Sequence, residues 1–192
     1  MKKHLVLVIA LIALSTAAFA QTWSVGAGYV NRQKKGHYST EGILIGGQYE
    51  YRFNSSRWSA AAGLEYSAVK DSNSGSVHYD QRVHIPLTAG FRIISAGDIN
   101  VGLYAGPAMV VGIFHRDQWP SPYYISSKVE NEYWGDDNHW GAKNPLGLMA
   151  CGGVTVDFSR KCRLRSGYSY ALIDHTYGET HRFWDVSMFY LF

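Results

Sequence analysis

Phe183-Trp-Asp-Val-Ser-Met-Phe-Tyr-Leu-Phe192 is the last stretch of the chain, and its side chains alternate with the period of two that is typical of a β-strand. Every second residue from Trp184 onward is apolar, whereas the other face carries Asp185 and Ser187. An apolar strand at an open sheet edge promotes aggregation. We therefore expect this strand to pair with the first strand of a closed barrel, with its apolar face in contact with lipid.

Seven earlier segments alternate in the same way, and the connections between the segments differ in length. The connections after the second, fourth and sixth segments are tight turns, whereas the others are longer loops. Short periplasmic turns and long extracellular loops are typical of outer-membrane barrels. The pattern predicts an all-β fold, an eight-stranded antiparallel up-and-down transmembrane β-barrel with both termini in the periplasm. The predicted strands cover 23–29, 43–53, 58–67, 79–93, 100–114, 146–158, 163–172 and 183–192.

The first twenty residues predict export. Lys2 and Lys3 precede an apolar run at 5–14, and Ala18-Phe-Ala20 supplies small residues for cleavage. This arrangement is typical of a secretory signal peptide, because the run is shorter than the ~20 residues of a spanning helix. We predict a cleaved signal peptide at 1–20 and an outer-membrane β-barrel domain at 21–192. Without the two lysines, Lys+Arg falls from 18 to 16 against 15 acidic residues, which does not indicate nucleic-acid binding.

The polar face of the predicted strands combines charged residues with glycine. It has five acidic and five basic residues, interspersed with glycines such as Gly26, Gly63 and Gly153. Glycine weakens an exposed strand, but small residues that alternate with large ones fill a narrow lumen. Arginine and carboxylate groups can pair there and so offset the cost of desolvation. We predict a lumen charge network of Glu50, Arg52, Glu65, Asp80, Arg82, Arg92, Asp157, Arg163, Arg165 and Asp185.

Aromatic residues of the outward face are predicted at both ends of the strands. Trp23, Trp58 and Tyr190 fall at the periplasmic ends, and Tyr29 and Trp184 fall at the opposite ends. Aromatic girdles at the two membrane interfaces are expected of a barrel in a bilayer. A general preference of aromatic residues for strands explains their abundance but not this placement.

Four stretches carry a family resemblance: Arg82-Val-His-Ile-Pro-Leu87, Gly102-Leu-Tyr-Ala-Gly-Pro107, the glycine-rich strand at 146–158, and Tyr190-Leu-Phe192. They resemble the small eight-stranded outer-membrane β-barrel family of Gram-negative bacteria, in particular the outer-membrane protein β-barrel domains common in Bacteroidetes. The resemblance implies an outer-membrane location and a structural class rather than one activity. It also implies that Phe192 is a signal to the barrel-assembly machinery.

A lumen enclosed by eight strands is filled by side chains, which disfavours a general diffusion porin. We expect a non-enzymatic monomer without a cofactor that contacts outer-membrane lipids and either binds a protein or glycan through its extracellular loops or supports the envelope. Aromatic side chains among Ser, Asn and Asp make adaptable contacts, but a loop over 115–144 that folds onto the barrel mouth would bury them instead. The candidate loop-binding surface consists of Trp119, Tyr123, Tyr124, Tyr133, Trp134 and Trp140.

Two other function classes stay open. One is a soluble secreted β-barrel binding protein. The other is an outer-membrane enzyme that transfers or removes acyl chains of lipid A, which needs a nucleophile, a base and an orienting acid close together. The first two outer loops offer His37, Ser39, Asp71 and Ser72 for these roles.

Metal and disulfide chemistry have weaker support in the sequence. Cys151 and Cys162 fall on opposite faces of their predicted strands, so we expect two free thiols. Metal or haem capture would use histidines that fall in or beside the loops, but no pair has a convincing ligand spacing. These histidines are His37, His78, His115, His139, His175 and His181.

Overall fold

The computed structural model describes residues 20–34, 39–53, 56–71, 77–118, 137–140, 146–173 and 181–192, and the regular elements in these ranges are antiparallel β-strands. Within these ranges no helix is long and apolar enough to cross a bilayer. The strands are β1 (Ala20–Lys34), β2 (Ser39–Arg52), β3 (Trp58–Asp71), β4 (Val77–Ala96), β5 (Ile99–Gln118), β6 (Asp137–Trp140), β7 (Leu146–Asp157), β8 (Cys162–Ile173) and β9 (His181–Leu191).

The terminal strand closes the barrel. β9 pairs antiparallel with β1, so that Tyr190 lies opposite Val25 and Trp184 lies opposite Asn31. The Phe192 amide adds a hydrogen bond of 2.8 Å to the Trp23 carbonyl oxygen. The ring runs β1-β2-β3-β4-β5-β7-β8-β9 and returns to β1, so each of these strands is paired on both sides within the ring. The predicted eight-stranded antiparallel barrel is confirmed, as is the pairing of its last strand with its first.

Several strands continue beyond the predicted boundaries. β1 and β2 remain paired as far as Gln33 and Ser39, inside the segment that the sequence pattern assigns to a loop at 31–40. β5 continues to Gln118, and the additional strand β6 pairs with it at Phe114 to Asp117, so the predicted loop at 115–144 contains a short hairpin arm. The prediction was wrong here because these extensions are polar on both faces. Backbone hydrogen bonding continues without any apolar periodicity to reveal it.

The short connections meet at one end of the barrel, which we call the short-turn end. The β4–β5 turn contains Gly97, whose φ of 61° lies in the left-handed region that favours glycine. The β7–β8 connection is also tight, since the Phe158 amide donates to the Cys162 carbonyl oxygen. Because β1 begins and β9 ends at this end, the remaining connections all leave from the opposite end, which we call the long-loop end for the connection between β5 and β7.

The outer face of the barrel wall is apolar, whereas the inner face combines buried ion pairs with buried apolar residues such as Val30, Leu44 and Met149. Leu87 on β4 is 55% exposed on the outside, whereas Phe189 on β9 is 1% exposed and lies inside. Apolar residues that point outward from all eight barrel strands form a continuous surface, which we call the apolar belt. It includes Trp23, Val25, Ile43, Ile45, Trp58, Leu64, Leu87, Leu103, Met109, Leu146, Val154, Leu164, Leu172, Trp184 and Met188.

Some predicted features lie outside the described residues. These are residues 1–19 of the predicted signal peptide and five aromatic residues of the candidate loop-binding surface, namely Trp119, Tyr123, Tyr124, Tyr133 and Trp134. The sixth, Trp140, belongs to β6, where its backbone is described but its side chain is not. The loop-binding surface therefore stays a prediction.

Candidate functional site

Two acids and two arginines form a closed set of ion pairs in the lumen near the short-turn end. Arg163 donates to Asp157 through Nε at 2.6 Å and Nη2 at 3.1 Å, and its Nη2 lies 2.8 Å from a Glu50 carboxylate oxygen. Arg52 lies 3.2 Å from both Glu50 and Asp157. We call these four residues the short-turn ring. Because β2 and β7 lie on opposite sides of the barrel, the contact of Arg52 with Asp157 crosses the lumen.

A second group occupies the middle of the lumen, and we call it the central cluster. Arg165 on β8 pairs with Glu65 on β3, which is the strand directly across the barrel. Its Nη2 also lies 3.4 Å from Asp185, which accepts a hydrogen bond of 3.0 Å from the Ser187 hydroxyl. The guanidinium carbon lies 4.9 Å above the centre of the Phe189 ring, a cation–π contact. All four polar residues are buried.

A glycine makes room for a tyrosine beside the central cluster. A Cβ atom at Gly167 would lie 2.3 Å from the Tyr104 hydroxyl oxygen and 2.6 Å from an Asp185 carboxylate oxygen. These distances are far below van der Waals contact. Gly167 therefore leaves space for the Tyr104 side chain, which enters the lumen from β5. A small residue next to a large one in this way fills a narrow barrel.

A third group lies toward the long-loop end. Asp80 accepts a hydrogen bond of 2.9 Å from Arg82 Nε and also pairs with Arg32 on β1. Next to this group, the Arg82 guanidinium carbon lies 5.7 Å from the centre of the Phe183 ring. The centre of the His84 ring lies 5.8 Å from the same ring centre. Since β4 and β9 are on opposite sides of the barrel, these contacts also bridge the lumen. Side chains thus meet across the interior at three levels.

The three groups bring together nine of the ten charged residues predicted for the lumen. The tenth, Arg92, lies apart from the ion pairs and lines a cavity of about 50 Å³ beside the short-turn ring. Sequence reasoning missed Arg32, because it falls in the segment predicted as a loop. Gly28, the buried Val30 and Arg32 are every second residue of β1 and therefore lie on the same face. A predicted first strand that continued to Arg32 would have placed this arginine in the lumen.

The residues predicted for an enzymatic site are not assembled in the described part of the chain. His37 and Ser72 lie outside the described residues, and only the backbone of Asp71 is described. Ser39 is exposed on β2.

A different serine and histidine do meet. Ser67 Oγ and His84 Nε2 lie 2.9 Å apart inside the lumen. Ser67 is only 3% exposed, and no carboxylate contacts His84 among the described residues. A nucleophile needs both access for its substrate and an oriented base, and this pair has neither.

Metal and disulfide chemistry find no site in the described residues. No group of three potential metal ligands occurs among them. Of the predicted loop histidines, His37 and His175 lie outside the described residues, and the side chains of His78, His115, His139 and His181 are not described. Cys151 and Cys162 are not joined, and Cys151 Sγ lies 3.2 Å from the Gly106 carbonyl oxygen.

No protein-family model matches the chain, and no curated protein matches it. Several solved structures are similar to it. Ail, the attachment invasion locus protein of Yersinia pestis, has 13% identity and a TM-score of 0.54, and the match covers 90% of this chain and 97% of Ail. Neisserial surface protein A has 13% identity and a TM-score of 0.52, with the same coverage of the two chains. The outer membrane enzyme PagL has 11% identity and a TM-score of 0.51, with 88% of this chain and 97% of PagL covered.

These neighbours are small eight-stranded outer-membrane β-barrels, and at such low identity the similarity establishes the fold alone. They include both a surface protein and an enzyme. The fold therefore does not decide the activity, which depends on the residues of the individual barrel.

Proposed function

We propose that this chain is a non-enzymatic integral outer-membrane protein, exported through the secretory pathway, whose membrane-embedded wall presents a surface at the long-loop end. The observation that carries the proposal is the inverted polarity of the barrel. Large apolar residues form the exposed belt, whereas ion pairs such as Arg163–Asp157 and Arg165–Glu65 are buried inside. A soluble monomer rarely exposes so large an apolar surface, whereas a transmembrane barrel requires one.

Aromatic pairs at both rims of the belt support a membrane position. At the short-turn end, Trp58 and Phe91 have ring centres 4.8 Å apart, and Tyr190 and Phe192 have ring centres 5.0 Å apart. At the other end, the rings of Tyr29 and Trp184 are 5.4 Å apart. Amphipathic rings favour the headgroup level of a bilayer, so the two sets mark the two interfaces.

The filled lumen supports a role other than diffusion of solutes. The short-turn ring, the central cluster and the group around Asp80 each join strands from opposite or nearly opposite sides of the barrel. A solute would have to displace buried, mutually paired charges to pass. We infer that the interior stabilises the barrel and that interaction takes place on its surface.

The long-loop end is the proposed site of interaction. Its predicted aromatic residues between 119 and 140 are suited to a protein or glycan ligand. The similarity to Ail supports this inference, since Ail is an attachment protein and its structure has also been determined with the heparin analogue sucrose octasulfate. We further propose that the chain belongs with the barrel domains common in Bacteroidetes, on the resemblance of its four sequence stretches.

Cell fractionation tests the location. The expected result is recovery in the outer-membrane fraction, together with a gel-mobility shift between boiled and unboiled samples in SDS. Recovery in the soluble periplasm, without such a shift, would contradict the proposal. Deletion of residues 116–142 tests the surface role, since it should abolish binding of cells to immobilised host proteins or glycans while the heat-dependent shift remains.

An enzymatic role is the second candidate, because the chain shares its fold with the outer membrane enzyme PagL. This candidate predicts a change in the acyl composition of lipid A on deletion and on overexpression of the protein. An unchanged composition under both conditions would remove it.

A further inference from the structure

The cavity beside the short-turn ring, which extends from the barrel mouth to Arg165, has an excess of positive charge in its lining. The short-turn ring contains two arginines and two carboxylates, all paired with one another, so its formal charge is zero. Arg165 also borders the cavity, but it is engaged by the central cluster. Arg57 and Arg92 complete the charged lining. These two arginines add two positive charges to the cavity lining at the short-turn end.

Arg57 and Arg92 are held together at the rim of this cavity. The Arg92 amide donates a hydrogen bond of 2.8 Å to the Arg57 carbonyl oxygen, which ties the turn before β3 to β4. Arg57 is exposed, and Arg92 is half-buried. Among the described residues, neither guanidinium lies within ion-pair distance of a carboxylate. Two arginines with adjacent backbones thus line one cavity, and no described carboxylate is paired with either of them.

Small residues keep the cavity open. A Cβ atom at Gly90 would lie 2.4 Å from the Ser59 hydroxyl oxygen, and one at Gly102 would lie 3.1 Å from the Thr155 hydroxyl oxygen. Both glycines and both hydroxyl residues line the cavity. Side chains at positions 90 and 102 would fill the space, so the wall leaves room beside groups that can donate hydrogen bonds.

We infer that the short-turn mouth binds one oxyanion of the phosphate class, held by Arg57 and Arg92 and contacted by hydroxyl groups of the cavity wall. Guanidinium groups bind phosphate oxygens through paired charge-assisted hydrogen bonds. A tetrahedral oxyanion suits a small polar cavity and would neutralise the two charges. Its source is either free inorganic phosphate or the phosphate of a lipid headgroup, which have the same oxygen chemistry.

The test uses the full barrel in maltoside micelles, which contain no phosphate. Inorganic phosphate is titrated by calorimetry against a chloride reference of equal ionic strength. Saturable binding is expected for the wild-type protein, and R57Q and R92Q should each weaken it about tenfold or more. R160Q is the matched control, because Arg160 is an exposed arginine on the same end of the barrel outside the cavity. It should bind phosphate like the wild-type protein.

Folding is checked by the heat-dependent gel shift. R57Q replaces an exposed side chain, so it removes charge without disturbing packing, and R92K should restore part of the affinity that R92Q loses. A second arm replaces phosphate with phosphatidylglycerol in mixed micelles. Arg57-dependent binding in either arm supports the site and identifies its source. Absence of saturable binding in both arms, or equal binding by wild-type protein and the folded R57Q/R92Q double variant, would overturn it.

Discussion

The outer and inner faces of this barrel use alternate residues of the same strands but obey different rules. The apolar belt requires only that each outward side chain be apolar, since lipid adapts to its shape. The lumen instead contains specific ion pairs, such as those of Arg165 with Glu65 and Asp185. Their distances depend on how the strands are placed around the barrel. A belt position should therefore tolerate many substitutions within one class. A lumen position should be sensitive to the loss of a single partner.

The largest expected effect comes from R165M. The change leaves Glu65 and Asp185 buried and close together without their shared cation. Breaking a buried ion pair in this way costs about 3–5 kcal/mol. Urea unfolding in micelles measures the loss. The triple variant E65L/R165M/D185L should recover most of it, because no unpaired charge remains; a loss as large in the triple variant would show that the lumen does not depend on partner matching.

A charge on the belt should have the next largest effect. Leu87 lies near the middle of β4 and points outward, so L87R places a guanidinium in the acyl region. The expected cost is about 2–4 kcal/mol near the midplane and about 0–1 kcal/mol near an interface. I99R, at the short-turn end, is the matched control. Equal stability of L87R and the wild-type protein in vesicles would mean that this face does not contact lipid.

Filling space in the lumen should have a moderate effect. G167A forces a methyl group against the Tyr104 hydroxyl and the Asp185 carboxylate. Overpacking of this kind costs about 1–3 kcal/mol. The double variant G167A/Y104F should unfold at a higher urea concentration than G167A, because it removes the nearest clashing atom. Gly47 provides a comparison, since a Cβ there lies 3.5 Å from its nearest neighbour and G47A should be nearly neutral.

The smallest effect is expected for an ion pair outside the lumen. Arg160 and Asp98 lie 3.5 Å apart between two short turns, and both are highly exposed. Exposed pairs contribute about 0–1 kcal/mol, so R160Q should leave the urea midpoint nearly unchanged. An exposed arginine–aspartate pair, Arg160 with Asp98, is then compared with a buried one, Arg165 with Asp185. A loss in R160Q as large as that in R165M would mean that burial does not set the value of these ion pairs.

The lumen charges show how far the sequence pattern reaches into the candidate site. Alternation was sufficient to predict that Glu65, Asp185 and Arg165 share one face, because side-chain direction along a strand follows from local covalent geometry. It could not predict which acid meets which base. Arg165 meets Glu65 only because β8 and β3 lie directly across the closed ring.

The polar extensions of the strands show where the sequence pattern fails to predict the strands themselves. β6 and the outer part of β5 carry no apolar face, so no periodic signal distinguishes them from a loop. Arg32, which pairs with Asp80, was missed because the polar residues around it were assigned to a loop, although the alternation of β1 reaches it. The placement of Arg92 beside Arg57, apart from the ion pairs, also depends on the turn geometry at the barrel mouth.

By itself, the sequence determined the eight barrel strands without their polar extensions, the two faces of these strands and the up-and-down order, because period-two alternation and connection length are local properties of the chain. It also indicated that the apolar strand at 183–192 needs a partner strand. Only the tertiary structure decided the partners across the lumen, the level at which each pair lies and the cavity at the short-turn mouth. Those features depend on the stagger and tilt with which eight strands close, which no single strand encodes.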